Sequence, residues 1–245
     1  MKFEDIKKLH QKKFRLELGH FLVEGEHLVQ ELQKAATHDA RLRSSEIYLT
    51  RDFAHWSSPL PMHVIQSRQM AQISETRAPP GIAAVVPLFT ATAPRSNERA
   101  VYLHEIQDPG NLGTILRTLA WFGNFRCLLS PDSVDLHNGK VVRASMGAIF
   151  HVPVEIDVPL DSLPARFSRI ACLDLEGEAV ASPDFREFEC YLFGNEARGL
   201  PRVAQVQARA FTIPGTGAIE SLNVAATVNI CLYEINRSLP GPQRG

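Results

Sequence analysis

Three short segments of the 245-residue chain combine glycines with polar side chains in a pattern suited to a ligand pocket. The first, residues 107–113, carries Gln107, Asp108 and Asn111, and Arg117 follows shortly after it. The second, residues 194–199, reads Gly194, Asn195, Glu196, Ala197, Arg198, Gly199. The third, residues 214–221, runs from Pro214 through Gly215 and Gly217 to Ser221, with Leu222 and Asn223 next. Each follows an apolar run, and open α/β sheets take ligands beyond the carboxyl ends of their strands. One such loop would mean little, because turns between strands and helices often need glycine. Three on one edge indicate a composite pocket. None is a Gly-x-Gly-x-x-Gly fingerprint or a Walker loop, so nicotinamide and nucleoside triphosphate chemistry lack their usual support.

The elements that must position these loops alternate. Apolar runs at 100–106, 125–129, 152–156, 170–175, 190–193 and 210–213 predict strands; patterns at 112–122, 139–146, 200–206 and 222–236 predict helices. Such alternation implies a mostly parallel sheet with helices on its faces. In the helix over 112–122, Leu112, Ile115, Leu116, Leu119 and Phe122 form one stripe that should face the sheet. Arg117 projects from the other side, near Gly113 and Trp121. Two readings fit: a solvated arginine beside an incidental tryptophan, or an arginine aimed at a phosphate or a partner subunit, with Trp121 one turn away to stack on it. Ser221 is placed to cap the final helix. That helix is apolar nearly all round, so it should be buried nearly all round, with a second subunit as the simplest cover.

The first part of the chain reads differently. A helical pattern at Ile6, Leu9, Lys13 and Phe14 is followed by the Gly19–Gly25 segment and a helix over 26–36, with strands at 46–49, 62–65 and 81–87. Residues 91–98 are polar and contain proline, as a linker does. The expected organisation is residues 1–90, a linker at 91–98, and a second domain over 99–245. Lys7, Lys8, Lys12, Lys13 and Arg15 make either a solvated helix face or a local basic patch.

Composition removes several classes. The chain is 44% hydrophobic and 22% charged, which argues against disorder. A net charge of −1 argues against coating nucleic acid by bulk electrostatics. No apolar run is long enough for a membrane span, and the charged N-terminus has no apolar signal core, so a soluble cytoplasmic protein is expected. The four cysteines are widely separated and the nine histidines show no ligand spacing, so neither a disulfide framework nor a metal site is expected. His104 and His151 read as strand residues.

The three loops resemble the three motifs of the SpoU (TrmH-like) branch of the SPOUT RNA methyltransferases. Asn111, Gly113 and Arg117, followed by Ala120, Phe122 and Gly123, match the first motif; Gly194, Glu196 and Gly199 match the second. Ile213, Pro214, Gly217, Ser221, Leu222, Asn223 and Val224 match the third. Gly215 replaces a frequent methionine, and Ala225 and Ala226 stand where serine or other small residues are common. The likeness covers about Val101 to Arg237. The first part also resembles the small α/β substrate-binding domain of several members, through Lys12, Lys13, Phe14 and Arg15, then Gly19, Phe21, Val23, Glu24 and Gly25, and the run over 81–86.

This resemblance implies an α/β fold: a C-terminal Rossmann-like parallel sheet closed into a deep trefoil knot, plus a small N-terminal α/β substrate-binding domain. It also implies an obligate homodimer and S-adenosylmethionine as methyl donor. Gly194, Asn195, Gly199, Ile213, Pro214, Gly217 and Leu222 would hold the donor, largely by main-chain groups, while Lys12, Lys13 and Arg15 would meet RNA. The implied reaction is methyl transfer to a ribose 2′-hydroxyl of structured RNA, ribosomal before transfer RNA. Arg117 would be the base, yet arginine is almost never neutral. An anchor for phosphate and for developing oxygen charge suits it better. Asn111 would orient the ribose or the arginine, or merely cap its helix. Glu196 would bond to the motif loops or to Arg117, or stand solvated, and Ser221 and Asn223 would reach the acceptor hydroxyl. Two other readings stay open: an inactive RNA-binding paralogue, and a different methyl acceptor.

Overall fold

The computed structural model describes residues 1–202 and 208–237. They form two compact units: Met1–Thr90 with Asp135–His151, and Ala91–Val134 with the chain from Val152 onward.

In the first unit the opening helical pattern is broken into α1 (Phe3–Ile6), a 3-10 turn (Lys7–His10) and α2 (Lys12–Leu18). Strands β1 (His20–Glu24), β2 (Glu46–Leu49), β3 (Met62–Val64) and β4 (Ile82–Pro87) form a sheet of order β1-β4-β2-β3. β4 is antiparallel to β1 and β2, and β3 is parallel to β2. β1 and β4 are buried along almost their whole length, which requires cover on both faces. Helix α3 (Glu26–His38) covers one face with Leu28, Val29, Leu32, Ala35 and Ala36, spaced as an amphipathic helix demands. On the other, Ile6, Leu9 and the residues Met70 and Ile73 of α4 (Ser67–Ile73) pack on Leu22, Tyr48, Ala83 and Val85. The sequence pattern did not reveal α4, which is short and polar on most positions.

Residues 135–151 join this unit although they lie far along the chain. Helix α6 (Gly139–Ser145) is capped by Asn138 and packs on β1. The His137 ring lies 4.7 Å from that of Phe21, and Asp135 accepts an ion pair from Arg15. Arg143 stands 3.7 Å from both Glu24 and Glu75.

The second unit is built on a six-stranded sheet of order β10-β8-β9-β5-β6-β7 in which every neighbouring pair is parallel. Its strands are β5 (Arg99–Leu103), β6 (Phe125–Leu129), β7 (Val154–Glu155), β8 (Ile170–Ala179), β9 (Cys190–Phe193) and β10 (Arg209–Thr212). β6 and β9 are buried throughout, the signature of a parallel sheet covered on both sides. Helix α5 (Pro109–Phe122) buries Leu112, Ile115, Leu116 and Leu119 as the stripe predicts, and packs on β6 and on α8 (Val224–Asn236). The remaining helix, α7 (Leu163–Arg166), is a single turn. The helix expected over 200–206 falls largely outside the described residues. β8 runs past the expected end at Leu175 to Ala179, because a register shift against β10 absorbs the stretch around Gly177. A Cβ at Gly177 would lie 2.6 Å from the Ala210 carbonyl oxygen, so only glycine lets the strands approach there.

Residues 91–98 are tied to the amino edge of this sheet. The buried Arg126 of β6 donates to Glu98 at 2.9 Å, to Glu155 at 2.5 Å and to the carbonyl of Thr92 at 2.9 Å.

Candidate active site at the carboxyl edge of the parallel sheet

The loops after β5, β9 and β10 lie on one edge of the second unit because all three strands run in the same direction. The first loop begins abruptly. β5 stops at Leu103, short of the expected Ile106, because Glu105 adopts a left-handed backbone with φ +48°. The chain then enters α5, capped by Asp108, whose carboxylate accepts from the Asn111 N–H at 2.7 Å. The cap is therefore Asp108 and not Asn111, which leaves the Asn111 side chain free for other bonds.

The second loop is a tight turn. Asn195 and Gly199 exchange both main-chain hydrogen bonds, at 3.1 and 2.9 Å. The buried Asn195 side chain accepts from the N–H groups of Ala197 and Arg198, and donates to the Glu105 carbonyl at 2.7 Å. A Cβ at Gly194 would sit 2.3 Å from the Gly199 carbonyl carbon, so the loop closes only on glycine. Gly199 turns at φ +66°. The Asn195 side chain thus builds the loop.

In the third loop Ile213 is half-buried and residues 214–223 are exposed. The cap of α8 is Asn223, whose side-chain oxygen accepts from Ala225 N–H at 2.9 Å and Ala226 N–H at 3.3 Å. Ser221, expected to cap, stands two residues too early and remains exposed.

Side chains join the three loops in one directed chain. Asn223 Nδ2 donates to Asn111 Oδ1 at 2.9 Å, and Asn111 Nδ2 donates to Glu196 Oε1 at 3.2 Å. Glu196 also accepts from the N–H groups of Gln107 and Asp108, both at 3.3 Å. The polarity is forced: a carboxylate only accepts and helix N–H groups only donate, so each amide has one permitted orientation. Aligned bonds of this kind polarise one another. Asn111, Glu196 and Asn223 are therefore brought together, and Glu196 bonds to the motif loops and not to Arg117.

Arg117 is exposed on α5 and forms no ion pair or hydrogen bond with another described residue. Trp121 is 80% exposed, and no cation–π contact joins the two. In the first unit Lys12 and Lys13 are exposed, with the Lys13 ammonium 5.6 Å from the centroid of the Phe14 ring. Arg15 corrects the expectation of a third RNA contact. It is 4% exposed, donating to the Leu9 carbonyl at 2.7 Å and pairing with Asp135. Its partner comes from residues 135–151, which sequence spacing could not bring near.

Covalent catalysis by cysteine is unsupported at this site. All four cysteines are buried. Burial pushes the Cys172 thiol up to about 11 and Cys127 up to about 12, away from the reactive thiolate. A polar cleft of about 740 Å³ lies at the opposite, amino edge of the sheet, where Arg99, Arg166 and Arg169 alternate with Glu98, Glu187 and Glu189. It contains none of the three loops.

Sequence reasoning assigned no role to Asp108, Glu105, Arg198 or the 173–176 stretch of β8. Asp108 had a readable signal, an Asp-Pro pair at a helix start. For Glu105 there was none, since glutamate does not advertise a left-handed backbone. The β8 stretch is placed beside the third loop by a bond from Thr212 Oγ1 to the Leu175 carbonyl at 3.0 Å.

The loops suit an adenosyl donor. No main-chain hydrogen bond to another described residue forms between residues 213 and 222, so their N–H and C=O groups can bind a polar ligand. Leu175, Ile219 and Leu222 are 71%, 70% and 45% exposed, so apolar surface faces solvent here as well.

Comparison with known proteins agrees. Residues 98–233 match the SpoU rRNA methylase family, and residues 2–84 match the MRM3-like substrate-binding domain. The 23S rRNA (guanosine(2553)-2′-O)-methyltransferase RlmP of Bacillus subtilis is 31% identical over 96% of this chain and 95% of its own. The 23S rRNA (uridine(2479)-2′-O)-methyltransferase of Streptomyces viridochromogenes is 27% identical over 91% of this chain and 84% of its own. The AdoMet-bound rRNA methyltransferase of Sinorhizobium meliloti superposes with a TM-score of 0.83 at 25% identity, covering 98% of this chain and 95% of that one.

Proposed function

Because the chain belongs to the SpoU rRNA methylase family, we propose that it transfers a methyl group from S-adenosylmethionine to a ribose 2′-hydroxyl of ribosomal RNA. The observation that carries this reading is the directed chain Asn223–Asn111–Glu196, which ties the three loops into one edge. The Bacillus and Streptomyces relatives act, by their names, on 23S rRNA, which makes large-subunit RNA the first substrate to test.

Bound at this edge, S-adenosylmethionine supplies an activated methyl group on a sulfonium. The main chain of residues 213–222 and the closed 194–199 loop would hold it, with Gly194, Gly199, Ile213, Pro214, Gly217 and Leu222 shaping the contact. Glu196 does not act as the base, because N–H donors already engage both its oxygens. Arg117 keeps its proton, as guanidinium groups do. It anchors a phosphate of the substrate and stabilises negative charge on the attacking oxygen, while the hydroxyl proton leaves to water at this exposed edge. Ser221 is exposed and free to meet the ribose. Lys12 and Lys13 contact RNA backbone through the first unit, as shape-reading domains do.

The working species is a homodimer through α5 and α8. These helices pack on each other and leave Trp121, Tyr233 and Ile230 exposed by 80%, 58% and 37%. The final helix is thus open on the side that its apolar sequence expects to be covered. The reading also includes the trefoil knot, which rests on the likeness to the SpoU family alone. Among the described residues no helix is long and apolar enough to cross a membrane.

The test is incubation with tritiated S-adenosylmethionine and hypomethylated ribosomal RNA. Label in an alkali-resistant dinucleotide supports the reading. Donor binding without label in any RNA would end it.

A further inference from the structure

Glu105 lies outside the matched motifs, yet it occupies the junction of the site. Its left-handed backbone, φ +48°, is one that glycine takes freely and a glutamate does not. Such a conformation persists only where its surroundings over-determine it. Here every polar group of the residue is bonded within the edge. Its N–H donates to Ser130 Oγ, in the loop after β6, at 2.7 Å. Its carbonyl accepts from Gln107 Nε2 at 3.0 Å and from Asn195 Nδ2 at 2.7 Å. Its carboxylate pairs with Arg198 and stands 3.6 Å from His104 Nε2. The loops after β5, β6 and β9 therefore converge on one residue.

We propose that Glu105 is a positioning residue of the S-adenosylmethionine site, holding the 194–199 loop in its binding shape through Arg198 and Asn195. The proposal rests on the methyltransferase reading above. The main-chain bonds need only the left-handed turn, which glycine would supply. The carboxylate adds a second restraint by fixing Arg198, whose side chain is 72% exposed and has nothing else described to hold it. A partly exposed ion pair contributes little to stability, so its effect falls on loop shape and hence on cofactor affinity.

The test uses the full-length protein with Glu105→Gly, Glu105→Gln, Arg198→Gln and the Glu105→Gly/Arg198→Gln double variant. Donor binding is read by calorimetry with S-adenosylmethionine alone, and thermal unfolding is read in parallel. Glu105→Gly keeps the backbone turn, so it is expected to melt at or above the wild-type temperature while its Kd for S-adenosylmethionine rises by about threefold. In steady-state assays KM for the donor rises by a similar factor, with kcat at saturating donor within about twofold. The double variant binds no more weakly than either single one, because both remove the same contact. An unchanged Kd in Glu105→Gly, or strictly additive losses in the double variant, overturns the proposal. A wild-type chain that binds no S-adenosylmethionine overturns the cofactor reading itself and this proposal with it, a result distinct from variants that match a binding wild type.

Discussion

Arg15 in the first unit and Arg117 on α5 of the second carry the same guanidinium into opposite surroundings. Arg15 is buried against the Leu9 carbonyl and Asp135. Its neighbours follow suit. The buried Glu24 takes the Ser74 hydroxyl and the Glu75 N–H, and His137 packs against the rings of Phe21 and Phe89. Arg117 is exposed on α5, and no described residue pairs with it. A charge taken out of water must be matched within the protein, whereas an exposed one keeps its donors for a ligand. Polar groups in the first region hold the fold together. At the second, they are arranged for something that arrives.

Breaking the first region should cost stability. Arg15→Met would leave Asp135 without its partner and should destabilise the protein by about 3–5 kcal/mol in denaturant unfolding. Wild-type stability would show that the pair is not buried in solution. Arg117→Ala should do the reverse: methyl transfer falls by about 100-fold, while unfolding free energy stays within about 0.5 kcal/mol of wild type. Arg117→Lys separates the roles further, since near-full activity would remove any need for the planar fork.

Acidity sharpens the contrast next. Burial pushes His137 down from 6.5 to about 4. Above pH 6.5 both folded and unfolded chains hold it neutral, and its full contribution to stability is present. Between pH 6.5 and 4 the unfolded chain binds a proton that the folded one refuses, so stability falls as pH drops. His137→Phe should flatten that slope, read from unfolding midpoints at pH 7 and pH 5; an unaltered slope would assign the acid lability elsewhere. The smallest effect is expected for Asn223→Asp. It caps α8 as well as asparagine does and leaves stability unchanged, but it cannot donate to Asn111. Methyl transfer should fall by about tenfold, and a fully active variant would show that the directed chain plays no part.

The motif residues were legible because each carries a local rule. Glycine at 194 and 199, Asn-x-Gly in the first turn of a helix, and strand–loop alternation all speak through neighbouring residues. The element order of the second unit followed from the same rules, with the strand at 125–129 recovered to the residue. The third motif misled locally, since Ser221 and Asn223 are both competent caps and pattern alone does not choose between them. Arg15 misled for a longer-range reason: its type and setting promise a basic surface, and only Asp135, 120 residues on, turns it inward.

Apolar periodicity and turn chemistry act over a few residues, and so the order of amino acids was enough to specify the parallel sheet, its three glycine-rich loops and the side chains available on them. Which of those side chains meet was settled only by folding. The joining of Asn223, Asn111 and Glu196, the left-handed turn at Glu105 and the recruitment of residues 135–151 into the first unit each depend on contacts between residues far apart in the chain. Such contacts form only when burial and the pairing of buried charge are satisfied for the whole unit at once.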